Sequence, residues 1–307
     1  MREQKKRISR TRKRRQIAGL LFAMPWIIGL IVFYAYPLLF SLYYSFTDYS
    51  GFNTPEFVGL RNFIELFKDF DETFWIAVRN TVAYALLAVP TGLILAFSLA
   101  LTLNIKTKLQ GMFRVIAFLP TLVPTVATGI IWQWLMNTQY GLINDVLYRI
   151  FKTKDAMIPW FTDPAYTTLS LTLVAQWCVG AGLLVFLAGL QDIPRDYYEA
   201  AVLDGANGVQ KFWHITRPLM SPVIFYQLIM GIIGAFQMFT LPYVIGGPTG
   251  GTLNSMLFYN MKLYNYAFKE FEMGMANAMA WLMFVVIMTI TLILYGTSRK
   301  WVHYMGE

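Results

Sequence analysis

Two sets of side chains in this sequence have types and spacings that could do chemistry. The first is an amide beside aromatic rings: Gln176 precedes Trp177, and Gln237 lies between Phe236 and Phe239, with Thr240 following. Amides exchange hydrogen bonds with hydroxyl groups, and ring faces take the C–H face of a sugar, so the pairing suits an uncharged polyhydroxylated solute. An amide inside an apolar helix serves equally to join two helices. The second set is the polar stretch 199–218. Glu199, Ala200 and Ala201 favour a helix, and Asp204 with Gly205, then Asn207 with Gly208, can turn it. Phe212 and Ile215 supply a short second apolar face before Pro218. Helix, turn and helix, polar among apolar surroundings, form a handle for a partner. Gly205 permits a turn or a close approach that a side chain would block, and Glu199 can cap or pair across the loop.

Other chemistry is missing from the sequence. It contains no nucleotide-binding Gly-Lys-Ser/Thr loop, no nucleophile elbow and no His, Cys and carboxylate grouping at metal spacing. No catalytic residue, metal site or cofactor site is therefore expected in this chain, and it is read as a non-enzyme. A net charge of +8 could suggest nucleic acid, but the excess sits in one arm, where membrane topology and anionic lipid account for it.

The elements that must carry these residues follow from composition. With 57% hydrophobic and 14% charged residues, the chain is too apolar for an ordinary soluble protein. Six stretches lack any charge: 16–47, 80–105, 115–144, 164–191, 218–261 and 273–298. Each exceeds the ~20 helical residues that cross a hydrocarbon core. They lack the period-two alternation of a membrane barrel, so an all-α protein of six transmembrane helices is expected. Pro25, Pro37 and Pro90 should bend the first two spans, and Pro120 and Pro124 should break the third.

Nine of the 25 basic residues fall in the first 15 positions, which keeps the amino terminus in the cytoplasm. Six spans then return the carboxyl terminus to that side. Three parts are expected: a basic arm 1–15, a membrane domain 16–300 carrying the loop 191–218, and a cytoplasmic tail 301–307. Lys106 and Lys108 should form a cytoplasmic turn, with Arg114 snorkelling. The apolar run 16–47 is too long for a cleaved signal and reads as a signal anchor. Stretch 138–163, with Pro159 and Trp160, reads as a packed external loop, and Gly246 to Thr252 as a flexible external turn. Cys178, the single cysteine, reads as a small buried apolar residue.

The order Glu199, Ala200, Ala201, then Asp204, Gly205, Ala206, then Phe212, Ile215 and Pro218 resembles the EAA loop of permease subunits in binding-protein-dependent ABC importers. Arg217 and His214 depart from that pattern. Further matches in order resemble sugar permeases of the maltose-importer type: Phe57 to Phe63, Phe74 with Trp75, Asn80 with Thr81, the Gly-rich turn, and Tyr264, Tyr266, Ala267 and Phe268 before Gly274. The resemblance runs from about residue 15 to the end and implies the type I importer permease fold. It implies docking of the 199–218 loop into an ATPase. The partners implied are a second, different permease, two ATPase subunits that bind ATP and Mg, and an external solute-binding protein that brings a sugar or oligosaccharide. The location implied is a bacterial or archaeal plasma membrane. The spans before and after the loop line the path in such permeases, which makes Gln176, Trp177, Phe236, Gln237, Phe239 and Thr240 path candidates. Two alternatives stay open: a sodium-coupled secondary transporter, and an importer of another small solute such as glycerol phosphate. The interiors of the six stretches hold no Asp, Glu, Lys, Arg or His, which tilts against proton coupling and against an anionic cargo.

Overall fold

The computed structural model describes residues 2–68, 72–105, 107–153 and 156–303, and of residues 2–11 the backbone only. Met1, Lys106 and tail residues 304–307, all named above, lie outside the described residues, as do the side chains of most of the basic arm. Helix α1 (Arg2–Leu30) runs from the arm into the first span without a boundary at residue 15. It continues through a π turn, Ile31–Ala35, into α2 (Tyr36–Tyr44). Pro37 cannot donate to the preceding turn, and widening it lets Tyr36 N–H reach the Ile31 carbonyl instead. A two-residue hairpin, β1 (Thr47–Asp48) with β2 (Glu56–Phe57), and α3 (Arg61–Phe67) lead to α4 (Thr73–Leu103).

The third and fourth spans are bent. Helix α5 (Gln110–Phe118) and the 3-10 turn Leu119–Leu122 meet α6 (Thr125–Leu135) at 96°, where Pro124 starts the new helix. Then come α7 (Leu142–Phe151), α8 (Pro164–Trp177) and α9 (Gly180–Asp192), the last two bent by 53°. A Cβ on Gly180 would sit 2.7 Å from the Ala117 carbonyl, so only glycine lets α9 start this close to α5. The loop follows as α10 (Arg195–Leu203), α11 (Gly208–Lys211) and a second π turn, Phe212–Thr216. The last elements are α12 (Arg217–Phe236), α13 (Thr240–Gly246), α14 (Tyr259–Phe268) and α15 (Met273–Ser298). Among the described residues, four helices are long and apolar enough to cross a membrane, and six crossings result when each bent pair is one span.

Helix α4 is the hub. Its central and lower residues Ala96 and Ala100 pack against Leu183, Phe186, Leu187 and Leu190 of α9 and Met220 of α12. Its first half, from Ala77 to Val89, shares one apolar cluster with Leu171 and Val174 of α8 and Leu241 and Ile245 of α13. Its start, at Phe74, meets Tyr259, Ala278 and Met279. Small residues at the contact faces let these helices approach closely, which is how helices associate where the solvent is itself apolar. The first span is different. Phe22 is 91% exposed, Trp26 70% and Phe33 75%, and the apolar window of this helix buries nothing within the chain.

Several expectations change here. Stretch 138–163 is no plain loop, because it contains α7, whose Asn144 is fully buried. Asn144 donates to the Thr138 and Ile158 carbonyls and accepts from Ile158 N–H and Trp160 Nε1, using its whole amide to pin the segment. Arg114, expected to snorkel, reaches the end of α4 and donates from Nη2 to the Leu103 carbonyl at 3.2 Å. That places a cation at a helix carboxyl end, where the dipole favours it. Just beyond the Gly246 to Thr252 turn the chain is anchored to α4: Asn80 Nδ2 donates to the Asn254 and Leu257 carbonyls, and Thr81 Oγ1 accepts from Tyr259 N–H.

Candidate coupling loop and solute cavity

Residues 195–218 fold by local rules. Helix α10 ends in a Schellman turn: Ala206 N–H donates to the Ala201 carbonyl at 2.8 Å and Gly205 N–H to Val202 at 3.1 Å. Gly205 stands at φ +78°, in the left-handed region that favours glycine, and a Cβ there would meet nothing in this chain. The turn therefore needs glycine for its backbone and not for space. Asn207 opens α11 with a capping box, its side chain accepting from Gln210 N–H while Gln210 Oε1 accepts from Asn207 N–H. The π turn before Pro218 repeats the device seen before Pro37, with Arg217 N–H bonding the Phe212 carbonyl.

The loop is tied to the bundle at its base and bare at its tip. Tyr198 Oη lies 2.9 Å from Thr216 Oγ1, joining α10 to the start of α12. The Phe212 ring lies 6.0 Å from Phe97 of α4, which in turn packs on Phe186. Ile215 is half-buried beside it. The Arg217 guanidinium sits 4.9 Å over the Trp213 ring, which gives this departure from the family pattern a local partner. Tyr197, Val202, Leu203 and Val209 are exposed, Leu203 to 89%. Glu199, Ala200 and Asp204 are exposed as well, and Glu199 has no hydrogen-bond or ion-pair partner among the described residues. It neither caps nor pairs across the loop within this chain. The carboxyl end packs nearby: His303 N–H donates to Ser221 Oγ, and Trp301 meets Phe225 edge to face.

A cavity of about 560 Å³ lies at mid-span between α4, α8, α9 and α12. Gln176 lines it, with Tyr84, Cys178, Phe186 and Gln227. Gln176 Nε2 donates to the Ala88 carbonyl and to Thr91 Oγ1, both at 3.1 Å, beside the proline at position 90. Gln227 Nε2 donates to the Gly182 carbonyl at 3.1 Å. Cys178 is partly exposed at the cavity wall rather than fully buried, and its Sγ donates to the Pro120 carbonyl at 3.8 Å.

The other path candidates are not gathered here. Trp177 turns away from the cavity and meets Trp132 of α6 edge to face at 5.9 Å. Phe236 packs into the apolar core and lines a separate apolar crevice with Phe74 and Leu282. Phe239 stacks on Tyr243 at 5.1 Å and touches Tyr264. Gln237 caps the end of α12 with its side chain exposed, and Thr240 starts α13. Gln176 and Gln237 thus do not share a site in this chain. Tyr84 and Gln227 were missed in the sequence. Gln227 was visible as a second amide within stretch 218–261, but Tyr84 had no distinguishing neighbour.

Residues 88–303 match the family described as the binding-protein-dependent transport system inner membrane component. The chain belongs to this family. The permease is 41% identical over 300 residues, 97% of its length and 96% of the relative's, to the probable ABC transporter permease protein YesP of Bacillus subtilis. It is 31% identical to the trehalose/maltose transport system permease protein MalF of Thermococcus litoralis, across 95% of this chain and 97% of that one. It is 33% identical to the arabinooligosaccharides transport system permease protein AraP of Bacillus subtilis, across 91% and 88%. Its fold matches a chain of a bacterial ABC transporter involved in the import of the acidic polysaccharide alginate, with a TM-score of 0.81 at 24% identity over 95% and 99% of the two chains. The permease is a multi-pass membrane protein of the ABC importer fold.

Proposed function

We propose that this permease is the membrane-spanning subunit of an ATP-driven importer. With a second, different permease it forms the path for a sugar or oligosaccharide that an external binding protein delivers. Residues 195–218 dock into one of two ATPase subunits. Those subunits bind ATP and Mg and perform the hydrolysis, while this chain supplies no catalytic group. Both termini and the loop face the cytoplasm of a bacterium or archaeon.

The observation that carries this reading is the loop's two-sided construction. Phe212 and Tyr198 fasten its base to the helices that wall the cavity, while its tip presents Tyr197, Val202, Leu203 and Val209 without cover. A rigid lever so mounted transmits displacement from a docked partner to α9 and α12. Glu199, Ala200, Ala201, Asp204, Gly205 and Ala206 shape that docking surface, and Pro218 sets where the lever joins α12. The sugar assignment draws support from the relatives' cargo and from the uncharged lining of the cavity.

The test is uptake into proteoliposomes holding the complete transporter with its binding protein. Uptake of an oligosaccharide is expected to require ATP and the binding protein, and to ignore a sodium gradient. Sodium-driven uptake without ATP would replace this reading with a secondary transporter.

A further inference from the structure

The polar lining of the cavity is of one restricted kind. Among its lining residues there is no Lys, Arg, His, Asp or Glu. The carbonyls of Ala88 and Gly182 can only accept, so the amides of Gln176 and Gln227 must turn their NH2 groups to the wall. That orientation leaves two Oε1 atoms, neither with a partner among the described residues. The third polar group is the hydroxyl of Tyr84. This residue is 5% exposed, its ring is fixed edge-on against Phe258 at 5.5 Å, and its hydroxyl has no partner among the described residues. The remaining wall is apolar, formed by Val89, Leu93, Phe186 and Met230 with glycine edges.

Two free carbonyl acceptors and one hydroxyl recognise hydrogen-bond donors. A sugar hydroxyl donates to such an acceptor. A carboxylate, sulfonate or phosphate only accepts, and here it would face the negative ends of two amide dipoles with no cation to replace its lost water. We propose that Tyr84, Gln176 and Gln227 make this cavity a site for the hydroxyls of uncharged saccharides and a barrier to anionic ones. The proposal rests on the cavity being part of the solute path. Fold does not decide the matter, since the fold neighbour imports an acidic polysaccharide; the lining residues do.

Cys178, the only cysteine in the chain, stands at the cavity wall where α8 breaks into α9, its Sγ directed at the Pro120 carbonyl 3.8 Å away, so a reagent reaches this thiol by way of the cavity and its labelling reports on entry there. The assembled transporter is treated with small thiol reagents of matched size: one neutral, one a quaternary ammonium, one a sulfonate. Labelling of this subunit is followed by mass spectrometry, and each rate is normalised to that on a free thiol. The sulfonate is expected to react about tenfold or more slowly than the neutral reagent, because desolvating an anion without a partner is costly. Gln227→Lys should bring the two rates within about threefold of each other, since it adds the missing cation. Equal normalised rates for sulfonate and neutral reagents on the unaltered protein would overturn the proposal. Labelling by none of the three would instead remove the cavity from the aqueous path, and with it the reading on which the proposal rests. In a parallel arm, Tyr84→Phe should lower uptake of a neutral oligosaccharide several-fold with the complex intact; unchanged uptake counts against Tyr84 as a hydroxyl reader.

Discussion

The proposed coupling loop and the cavity are built by opposite means. In the loop, nearly every hydrogen bond spans five residues or fewer, and the apolar side chains at its tip are left bare. In the cavity, the fixing bonds join residues 88, 85 and 45 positions apart, and the polar atoms left bare are the amide oxygens and the Tyr84 hydroxyl. Local bonds make a shape that persists while the rest of the bundle moves. Long-range bonds make a site that exists only when four helices stand in one arrangement. The contrast fits the proposed function, in which a lever stays the same through a transport cycle and a chamber changes.

The comparison can be broken or sharpened by experiment, starting with an all-or-none effect. In a Cys178→Ala background, Thr54→Cys should react with an impermeant thiol reagent added outside cells, and Gln210→Cys should not. The reverse pattern would put the loop on the wrong side for an ATPase. Next, Gly205→Val should cut uptake and solute-stimulated ATP hydrolysis together by more than about tenfold, because a β-branched residue at this φ costs on the order of 1–3 kcal/mol. The cavity should be untouched, so Cys178 should still label at its normal rate. If labelling changes in step with coupling, the two regions are not separately built. Gln176→Leu removes both bonds between α8 and α4 and one cavity acceptor, a loss of about 1–2 kcal/mol that should lower uptake roughly fivefold while the complex stays assembled. Dissociation of the complex on a sizing column would show that the amide serves only to join helices. The smallest effect is expected from Gln237→Leu, an exposed residue outside the cavity, with uptake changed by less than about twofold, as for most surface substitutions. A larger loss of uptake would move the solute path towards the end of α12.

The same contrast explains what could be read in advance. Glu199 to Pro218 announced a helix–turn–helix because its determinants are neighbours: Asp204 with Gly205 and Asn207 with Gly208 for the turn, and Pro218 after the second apolar face. The spans were legible as uncharged runs, since lipid excludes charge whatever the packing. Their internal breaks were legible only where proline causes them, as at Pro124; the bend at Cys178 comes from a close approach at Gly180 that no local pattern encodes. The cavity was half visible. Gln176 stood out beside Trp177, but a helix apolar on all faces gives no clue to which face meets a cavity. Tyr84 and Gln227 were therefore passed over, and Gln237 was preferred for its aromatic neighbours, which prove to pack into the core. Helix α7 was hidden because its anchor, Asn144, is a polar residue in a polar segment whose burial depends on Trp160 and Ile158 further along the chain.

Gly205 also carries a question of handedness. Its φ of +78° suits a residue of mirror-image configuration as well as it suits glycine, and the space beside it is open. A D-alanine placed there by semisynthesis would keep the turn and reduce the freedom of the unfolded chain, so the isolated subunit should lose no stability. An L-alanine puts the same methyl group on a strained backbone. Chirality at one position thus divides two demands that ordinary mutagenesis always mixes: what the turn asks of its own residue, and what a docked partner asks of the surface above it. If the D-alanine subunit folds and still fails to couple, the methyl group is felt by the partner alone.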